Sequence, residues 1–354
     1  MLQDLKLRPL LKSKAEIWLV TGVAGFIGSN ILETLLNLDQ VVVGLDNFST
    51  GRRQNLEDVK GCVSEEQWSR FRLCTGDIRE LRDCHEAVKG VSFVLHQAAL
   101  GSVPRSIDDP ILSNDNNVSG FLNMLIASRD AGVKSFTYAA SSSTYGDHTA
   151  LPKMEDTIGR PLSPYAVTKL VNELYAEVFS RCYGVNTVGL RNFNVFGPRQ
   201  DPNGAYAAVI PRWIQAMLRD EPVRILGDGK TSRDFCFVDN AVQANILAAT
   251  SDNRTNQVFN VAVGEQTSLL ELHNSLKSNF MKIVGRDTRS ELEFGDQRRG
   301  DVRHSLASIA RIQEYLGYEP IVRVADCLFL TMKWFASQDC LSGHRCDSSN
   351  GISL

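Results

Sequence analysis

A tyrosine and a lysine four residues apart, Tyr165 and Lys169, are the residues of this chain best suited to acid–base chemistry. They follow Pro164, and apolar residues recur after them, so the pattern predicts a helix that begins here and carries both side chains on one face. A tyrosine with a pKa of about 10 is a poor base at neutral pH, but a neighbouring ammonium favours the phenolate. The pair is therefore predicted to remove a proton from a substrate hydroxyl group.

A run of serines stands before this helix, where a predicted strand ends near Ala140. Ser141 is predicted to be the third catalytic residue, because a hydroxyl group there can hydrogen-bond the reacting oxygen of the substrate. Its neighbours Ser142 and Ser143 are the alternatives for that role and are predicted to contact the substrate.

A glycine triplet near the start of the chain indicates a phosphate-binding loop. Gly22, Gly25 and Gly28 close a predicted strand and open a predicted helix. Glycine there allows a tight turn and lets a pyrophosphate approach the N–H groups at the positive end of the helix. An ordinary glycine-rich turn would show the same triplet, but an acidic residue, Asp46, ends the next strand, as a dinucleotide-binding unit requires.

The residues after the second and third strands bear on which dinucleotide binds. A carboxylate at Asp46 can accept both adenosine-ribose hydroxyls and repels a 2′-phosphate, which favours NAD over NADP. Arg52 and Arg53 follow closely and leave NADP as the alternative. Asp77 is placed either to contact the adenine amine or to cap the following helix.

Strands of four to six residues alternate with helical patterns through the first half of the chain. This alternation predicts an α/β fold, a doubly wound parallel Rossmann sheet buried on both faces. The predicted strands are 17–21, 41–45, 71–74, 92–96, 135–140 and 187–192. Residues 1–194 are therefore predicted to form the NAD-binding domain.

Turn-forming residues crowd together after Asn194, which predicts a smaller, loop-rich α/β substrate domain over residues 195–337. Residues 236–263 contain a helix and a strand predicted to return to the first sheet, so the two domains are expected to be interleaved. Residues 338–354 are polar and are predicted to be a disordered tail.

The composition restricts the partners of the chain. The net charge of −3 is spread over mixed side chains, which gives no basic face for nucleic acid, and no apolar run is long enough to cross a membrane. The eight cysteines form no C-x-x-C pair and the histidines show no metal-ligand spacing, so reduced thiols and no metal site are predicted. A cytoplasmic protein with a small-molecule substrate is expected.

An ordered set of motifs resembles one family. The set comprises the glycine loop, Asp46, Leu95-His96-Gln97-Ala98-Ala99, Ser141–Gly146, Tyr165–Lys169, Phe193-Asn194-Val195-Phe196-Gly197 and Ser232-Arg233-Asp234-Phe235. Together these motifs resemble the extended short-chain dehydrogenases that act on nucleotide sugars. Within that family the chain is most similar to bacterial UDP-N-acetylglucosamine 4-epimerases of surface-polysaccharide pathways.

The resemblance implies a set of contacts to NAD and to a UDP-sugar. The cofactor residues it implies are Gly22, Gly25, Phe26, Ile27, Gly28, Asp46, Asn47, Asp77, Ile78, Gln97, Ala98, Ala99, Tyr165 and Lys169. The substrate residues it implies are Gly101, Ser102, Ser142, Ser143, Asn194, Gln200, Ala208, Val209, Arg233, Arg298 and Ser305. Arg233 and Arg298 would hold the diphosphate, for which a guanidinium group is well matched.

The expectation that the hexose of the substrate is N-acetylated depends on Ser305. By resemblance, epimerases restricted to glucose and galactose have a tyrosine there, whereas a small residue leaves room for an acetamido group. Two positions depart from the family pattern: Asn192 replaces a tyrosine and Arg299 replaces a glutamate.

The implied reaction is reversible inversion at C4 of a UDP-N-acetylhexosamine, UDP-GlcNAc to UDP-GalNAc. Tyr165 removes the proton of the 4-hydroxyl while C4 delivers hydride to tightly bound NAD. The transient 4-keto sugar then rotates about its diphosphate and takes the hydride back on its other face. The alternatives are a UDP-glucose/galactose 4-epimerase, a uronic-acid 4-epimerase with Arg105 at the carboxylate, a 4,6-dehydratase and a non-catalytic NAD sensor. Ser142 and Ser143 stand where dehydratases carry an acidic pair, and a sensor needs no Tyr165–Lys169 pair.

A homodimer is also implied by the resemblance. Relatives pair the helices that correspond to the predicted helices 111–131 and 165–182 in a four-helix bundle. From periodicity alone, the apolar stripes of these helices could equally pack within one subunit.

Overall fold

A seven-stranded, wholly parallel sheet forms the centre of the structure, which is a computed structural model. It describes residues 7–8, 11, 16–203, 207–251, 256–296, 302–321 and 324–341. The strands run in the order β3-β2-β1-β4-β5-β6-β11. Their bounds are β1 Ile17–Thr21, β2 Val41–Asp46, β3 Phe71–Thr75, β4 Phe93–His96, β5 Ser135–Ser141, β6 Thr187–Asn192 and β11 Gln257–Val261. This topology confirms the predicted doubly wound α/β fold.

Helices cover both faces of this sheet, as the nearly continuous apolar strands require. One face is covered by α1 Phe26–Asn37, α2 Arg53–Cys62 and α10 Val238–Thr250, and the other by α4 Leu81–Ala87, α7 Gly120–Ala131 and α8 Pro164–Tyr183. The shorter elements between them are α3 Glu65–Trp68, α5 Val103–Asp108, α6 Pro110–Asn114 and the 3₁₀ turn Ser142–Tyr145. The carboxyl ends of β1, β2, β4 and β5 consequently face the helix starts that bear the predicted site.

Local sequence explains how α8 presents its catalytic pair. Ser163 caps the helix by accepting a hydrogen bond from the amide of Ala166 at 3.2 Å, and Pro164 occupies the first turn. The helix ends at Gly184, which adopts the left-handed conformation that glycine tolerates best.

The helix predicted over 111–131 is interrupted by a π-helical turn, Asp115–Ser119. Within this turn the side chain of Asn117 exchanges two hydrogen bonds with the backbone of Leu100 and donates to Thr168 Oγ1 at 3.2 Å. Such turns accommodate an extra residue and often occur at functional sites. Through Asn117, this turn connects the loop after β4 to the catalytic helix by hydrogen bonds.

The chain after β6 forms the smaller part of the structure. Its short strands pair as three two-stranded sheets, β7 with β10, β9 with β12 and β8 with β13. Their bounds are β7 Val195–Phe196, β8 Val223–Leu226, β9 Ser232–Arg233, β10 Cys236–Phe237, β12 Thr267–Ser268 and β13 Leu292–Gly295. The helices are α9 Val209–Leu218, α11 Leu269–Val284, α12 Ala310–Leu316 and α13 Val324–Leu341.

The last helix corrects one prediction. Residues 338–354 are predicted to be a disordered tail, but α13 continues to Leu341. The remainder of the predicted tail, 342–354, lies outside the described residues. Among the helices that the structure describes, none has the length and apolar character needed to cross a bilayer.

Candidate active site

The glycine loop between β1 and α1 is packed too closely for any other residue. Gly22 has φ of +67°, and a Cβ atom there would lie 2.9 Å from the amide nitrogen of Ala98. A Cβ atom on Gly28 would lie 2.1 Å from the carbonyl oxygen of Gly22. The loop therefore exposes bare backbone at the start of α1, where the helix dipole favours a phosphate.

Asp46 lies at the end of β2 against this loop. Its carboxylate accepts hydrogen bonds from the amides of Ala24 and Phe48, both at 2.8 Å. Burial raises the pKa of Asp46, and these two bonds partly offset that effect. The carboxylate is thus held rigidly at the edge of the loop, where the sequence predicts it to receive ribose hydroxyls.

Asp77 is held by its own neighbours. Arg79 pairs with its carboxylate at 2.7 Å and Asn47 donates to it at 2.9 Å, and the hydrogen bond from Arg79 lowers the pKa of Asp77 to about 2. The alternative role as a helix cap does not hold, because the residue before α4 is Glu80 and no side chain caps that helix.

A cavity of about 350 Å³ opens beside the loop, and we call it the glycine-loop cavity. It contains nearly all the predicted cofactor residues together with the predicted catalytic residues. These are Gly22, Gly25, Phe26, Ile27, Gly28, Asp46, Asn47, Ile78, Gln97, Ala98, Ala99, Ser141, Tyr165 and Lys169. Asp77 is not among its lining residues, although Gly76 and Ile78 are.

The chemistry of this cavity fits a dinucleotide. Bare backbone at the helix start suits the pyrophosphate, and Asp46 suits a ribose diol. Two buried side-chain oxygens, Gln97 Oε1 and Asn192 Oδ1, have no hydrogen-bond partner, and both residues line the cavity. Buried polar atoms normally have partners, so these oxygens fit donors of a bound group.

The catalytic residues meet at the end of β5. Lys169 is 4% exposed, donates from Nζ to the carbonyl oxygen of Ala139 at 2.7 Å and lies 5.9 Å from the centre of the Tyr165 ring. The hydroxyl of Ser141 hydrogen-bonds the phenol of Tyr165 and accepts from Ser143 Oγ at 2.9 Å. Ser141 and Tyr165 are therefore hydrogen-bonded to each other, and the ammonium of Lys169 lies close to the Tyr165 ring.

The electrostatics of Tyr165 differ from the expectation in one respect. Burial raises the pKa of its phenol, and the hydrogen bond from Ser141 only partly offsets this. Burial also lowers the pKa of Lys169 to about 8. A further positive charge in the cavity would favour the phenolate and so oppose this effect of burial.

A second cavity of about 520 Å³ lies beside the first, and we call it the Arg233 cavity. Its lining comes from both the predicted NAD-binding residues 1–194 and the predicted substrate residues 195–337. Of the predicted substrate residues it contains Ser102, Ser142, Ser143, Asn194, Ala208, Val209, Arg233 and Ser305.

Two predicted substrate residues, Gly101 and Gln200, do not line the Arg233 cavity, and a third is not described. Gly101 lines the glycine-loop cavity. Gln200 lines neither cavity, and its amide nitrogen donates to the carbonyl oxygen of Val195 at 3.1 Å. Arg298 lies outside the described residues, as does Arg299.

Sequence reasoning missed several polar residues of the Arg233 cavity. They are Lys153, Arg212, Trp213, Arg224 and Thr231. A weak sequence signal could have indicated Arg212 and Arg224, since each is the single charged residue in an otherwise largely apolar helix or strand. Lys153 had none, since it precedes the catalytic helix in a polar loop.

Asp234 positions the wall of this cavity. Its carboxylate accepts hydrogen bonds from the amides of Val263 at 2.9 Å, Gly264 at 3.0 Å and Ala307 at 3.3 Å. Burial nevertheless raises the pKa of Asp234 to about 6. The segment that carries Ser305 is thereby fixed to the strand that carries Arg233.

His96 is a buried structural residue. It is 4% exposed, its Nδ1 lies 2.9 Å from Thr21 Oγ1, and burial lowers its pKa to about 3. In the part of the chain that the structure describes, no three histidine, cysteine or acidic side chains are grouped so that they could hold a metal ion.

Comparison with known proteins agrees with this geometry. Residues 18–262 match the model of the NAD dependent epimerase/dehydratase family. A UDP-glucose 4-epimerase of Mycolicibacterium smegmatis is 36% identical over 90% of this chain and 98% of its own length.

Solved structures are similar over nearly their whole length. A UDP-N-acetylglucosamine 4-epimerase of Methanobrevibacter ruminantium M1, in complex with UDP-N-acetylmuramic acid, is 36% identical, with a TM-score of 0.83 and coverage of 92% of this chain and 99% of that one. A UDP-glucuronic acid 4-epimerase of Bacillus cereus, in complex with UDP-glucuronic acid and NAD, is 31% identical, with a TM-score of 0.80 and coverage of 91% and 99%. The chain therefore belongs to the NAD dependent epimerase/dehydratase family, which confirms the prediction of NAD as its cofactor.

Proposed function

We propose that this enzyme is a nucleotide-sugar 4-epimerase that interconverts UDP-GlcNAc and UDP-GalNAc. The observation that carries the proposal is the charge of the Arg233 cavity, which adjoins the catalytic residues. Four cationic side chains line it, Lys153, Arg212, Arg224 and Arg233, and none of its described lining residues is Asp or Glu. Guanidinium groups bind the oxygens of a diphosphate in pairs, so a nucleoside diphosphate sugar suits this lining.

The residues of the chain supply the acid–base chemistry. Tyr165 holds or releases the proton of the sugar 4-hydroxyl, Ser141 orients that oxygen, and Lys169 contributes positive charge beneath both. Bound NAD⁺ supplies a positive charge and a reversible hydride acceptor. Because burial raises the pKa of the Tyr165 phenol, that positive charge would favour the phenolate.

The small side chain of Ser305 supports an N-acetylated hexose. Ser305 lines the Arg233 cavity, and its amide donates to the carbonyl oxygen of Ser232 at 3.1 Å, so its position is fixed by the backbone. A serine at a fixed wall position leaves volume that a bulky residue would fill, and an acetamido group can use that volume.

The relatives support the type of reaction more strongly than they support the identity of the sugar. Relatives of similar identity are named for UDP-N-acetylglucosamine, UDP-glucose and UDP-glucuronic acid, and all three are 4-epimerases. The UDP-glucose/galactose and uronic-acid reactions therefore remain the alternatives within the same chemistry.

A 4,6-dehydratase fits the cavity less well. Elimination of the C6 oxygen needs a proton donor and a base beside the catalytic tyrosine. The neighbours there are Ser142 and Ser143, which do not titrate near neutral pH.

The direct test incubates the purified protein, without added NAD, with UDP-GlcNAc, UDP-GalNAc, UDP-Glc and UDP-Gal, each in its own reaction. The sugars are followed by NMR. We expect interconversion of the N-acetylated pair. If none of the four sugars is converted, the 4-epimerase proposal fails, and if only the non-acetylated pair is converted, the role of Ser305 fails.

We also propose that the enzyme is a homodimer. Large apolar side chains are exposed along one side of α8, namely Val167, Leu174 and Val178, which are spaced for a single helix face. Ile107 and Ile111, from the neighbouring α5 and α6, are 61% and 74% exposed. A contiguous exposed apolar surface of this kind is typical of a subunit interface.

A further inference from the structure

Arg191 and Glu173 form a buried ion pair behind the two cavities. The guanidinium group of Arg191 binds both carboxylate oxygens of Glu173, from Nε at 2.9 Å and from Nη2 at 2.7 Å. The two side chains are 4% and 8% exposed. A forked pair of this kind fixes the relative orientation of both groups. Neither residue lines the glycine-loop cavity or the Arg233 cavity, so the pair acts on the site through other residues.

Glu173 joins the pair to the catalytic helix. It lies on α8 one turn after Lys169 and two turns after Tyr165, on the same side of the helix. Burial lowers the pKa of Lys169 to about 8, and the carboxylate of Glu173 opposes this effect. Because Arg191 holds that carboxylate, the acid–base residues experience the field of an ion pair and not that of a free anion.

Tyr145 joins Arg191 to the turn that follows Ser141. The guanidinium group lies over the Tyr145 ring, 4.8 Å from its centre. Tyr145 is the last residue of the 3₁₀ turn Ser142–Tyr145 and lines the Arg233 cavity. Its hydroxyl donates to Asn260 Oδ1 at 2.6 Å, so the ring is fixed from both sides.

A third connection of Arg191 leads to the wall of the Arg233 cavity. Its Nη1 donates to the carbonyl oxygen of Glu155 at 2.9 Å. Two residues earlier, the amide of Lys153 donates at 2.7 Å to the carbonyl oxygen of Leu306, the neighbour of Ser305. Lys153 and Ser305 both line the cavity. Arg191 therefore contacts three segments that border the site: the catalytic helix, the serine turn and this wall.

The position of Arg191 in the sheet explains how one side chain reaches all three. It lies on β6, where it is the register partner of Ala140, and the next pair along is Ser141 with Asn192. The acid–base residues border the glycine-loop cavity, whereas the proposed sugar diphosphate occupies the Arg233 cavity. Proton and hydride transfer require a fixed distance between groups held in these two places.

We propose that Arg191 is a positioning residue of the enzyme. Its forked bond to Glu173 holds the catalytic helix in register with the serine turn and the wall of the Arg233 cavity, and the balanced charge of the pair sets the field at Tyr165. The proposal rests on the proposed 4-epimerase function and adds what holds the acid–base residues and the sugar in one geometry.

Other groups also face the acid–base residues. Glu173 and Tyr165 face Lys169 from its own helix, and His96 interacts with it from β4. His96 is neutral near pH 7, because burial lowers its pKa to about 3. The groups of β5 are the carbonyl oxygen of Ala139 and the hydroxyl of Ser141, which are uncharged. Changes in the charge of the ion pair are therefore expected to alter the pH profile.

The kinetic test measures kcat and KM as functions of pH for the UDP-sugars that the NAD-bound wild type converts. The variants are Glu173→Gln, Arg191→Met and Arg191→Lys. Arg286→Met is the matched control, because it breaks another forked pair, with Asp220 at 3.0 and 3.1 Å, in the smaller part of the structure.

We expect Arg191→Met to lower kcat about 100-fold and to change KM less than about 3-fold, because the groups that bind the diphosphate remain. Arg191→Lys keeps the charge and loses the fork, so kcat should fall about 10-fold with the pH profile of the wild type. Arg286→Met should keep the kcat and the pH profile of the wild type.

The charge of each variant determines the direction of the pH shift. Glu173→Gln removes a negative charge and favours the phenolate, so the acid limb of kcat should move down by about 0.5 pH unit. Arg191→Met leaves Glu173 without its cation, and the limb should move up by a similar amount. A purely structural role would not produce shifts of opposite sign.

An ultraviolet titration of the NAD-bound proteins reads Tyr165 without turnover. The absorbance of each protein is compared with that of the same protein carrying Tyr165→Phe, and the difference reports the phenolate. The same opposite shifts are expected, so this measurement tests the ion pair even if no UDP-sugar is converted.

The outcomes separate this proposal from the general one. A wild type that converts no UDP-sugar contradicts the 4-epimerase function. Shifts that are absent or of the same sign, or a loss of kcat in Arg191→Met no larger than in Arg286→Met, overturn the role of Arg191 and leave the epimerase function standing. If Arg191→Met does not fold, a wild-type kcat and pH profile in both Glu173→Gln and Arg191→Lys overturns it.

Discussion

The ammonium of Lys169 donates a hydrogen bond to the carbonyl oxygen of Ala139 at 2.7 Å. Ala139 lies two residues before Ser141 on β5. This bond anchors the cation beneath the end of β5, so the lysine, the serine and Tyr165 keep a fixed mutual geometry. Fixed geometry of this kind allows acid–base groups to act on one oxygen atom. It also places the lysine where burial changes its proton affinity.

Replacement of Tyr165 by phenylalanine removes the proton-transferring hydroxyl and its hydrogen bond to Ser141, and keeps the ring. We expect kcat to fall by about 10³-fold, within the usual range for loss of a general acid–base group, while NAD stays bound. Turnover by NMR and nucleotide content by absorbance check both parts. Tyr183→Phe, on the same helix but 53% exposed, is the matched control and should behave as the wild type. Residual activity near the wild-type rate in Tyr165→Phe would show that another group moves the proton.

The lowered pKa of Lys169 predicts a pH-dependent gain in stability when it is replaced. The folded state has a pKa of about 8 in place of the ordinary 10.5, so the unfolded chain binds more protons between these values, and stability rises with pH across that window. Below pH 8 the buried ammonium lowers the free energy of unfolding by about 3 kcal/mol.

We therefore expect Lys169→Met to be more stable than the wild type by up to about 3 kcal/mol at pH 7, with a gain about half as large at pH 9.5. Urea unfolding of the nucleotide-free proteins at the two pH values measures the difference. The exposed replacement Lys60→Met should show no such change. A gain that is constant with pH would argue against a buried ammonium.

Gly28→Ala tests the phosphate loop. The added methyl group would lie 2.1 Å from the carbonyl oxygen of Gly22, so the loop must open and its amide groups must move. We expect most of the bound NAD to be lost and activity with it. The bound nucleotide is measured after denaturation of the purified protein.

Gly61 provides the control for this change, since it is also helical but no atom lies within 4 Å of its added methyl group. Gly61→Ala should keep its NAD and gain up to about 1 kcal/mol in stability from helix propensity. Full NAD occupancy in Gly28→Ala would show that the loop tolerates displacement.

Ser305→Tyr should separate the two sugar classes. A phenol ring at this wall position fills space in the Arg233 cavity, and we expect kcat/KM to fall about 100-fold for UDP-GlcNAc and UDP-GalNAc and less than about 5-fold for UDP-Glc and UDP-Gal. Ser305→Ala, which removes only the hydroxyl, should leave the preference unchanged. An equal loss for both pairs would mean that Ser305 does not face the acetamido group.

The residues that sequence predicted well lie on elements with strong local signals. Gly22, Asp46 and Tyr165 each stand where an apolar strand or a capped helix begins or ends, and the order of the elements along the chain fixes which sheet edge they share.

Lys153 shows why part of the site escaped prediction. It reaches the Arg233 cavity only because it forms a bridge to Ala307, which is far away in sequence. The chain between them contains α8 and the strands from β6 to β13, and no local periodicity indicates such a contact. For Gln200 the prediction came from the family motif alone, and in the structure its amide nitrogen donates to the carbonyl oxygen of Val195.

The proposed dimer can be tested at the exposed face of α8. Leu174 is 54% exposed there, and a glutamate at this position would bury a charge in any interface formed by that face. We expect the wild type to have the mass of a dimer by light scattering and Leu174→Glu to be a monomer at micromolar concentration. Met281→Glu, a replacement of a side chain 48% exposed on α11, should remain dimeric. A monomeric wild type would contradict the dimer, and a dimeric Leu174→Glu would place the interface elsewhere.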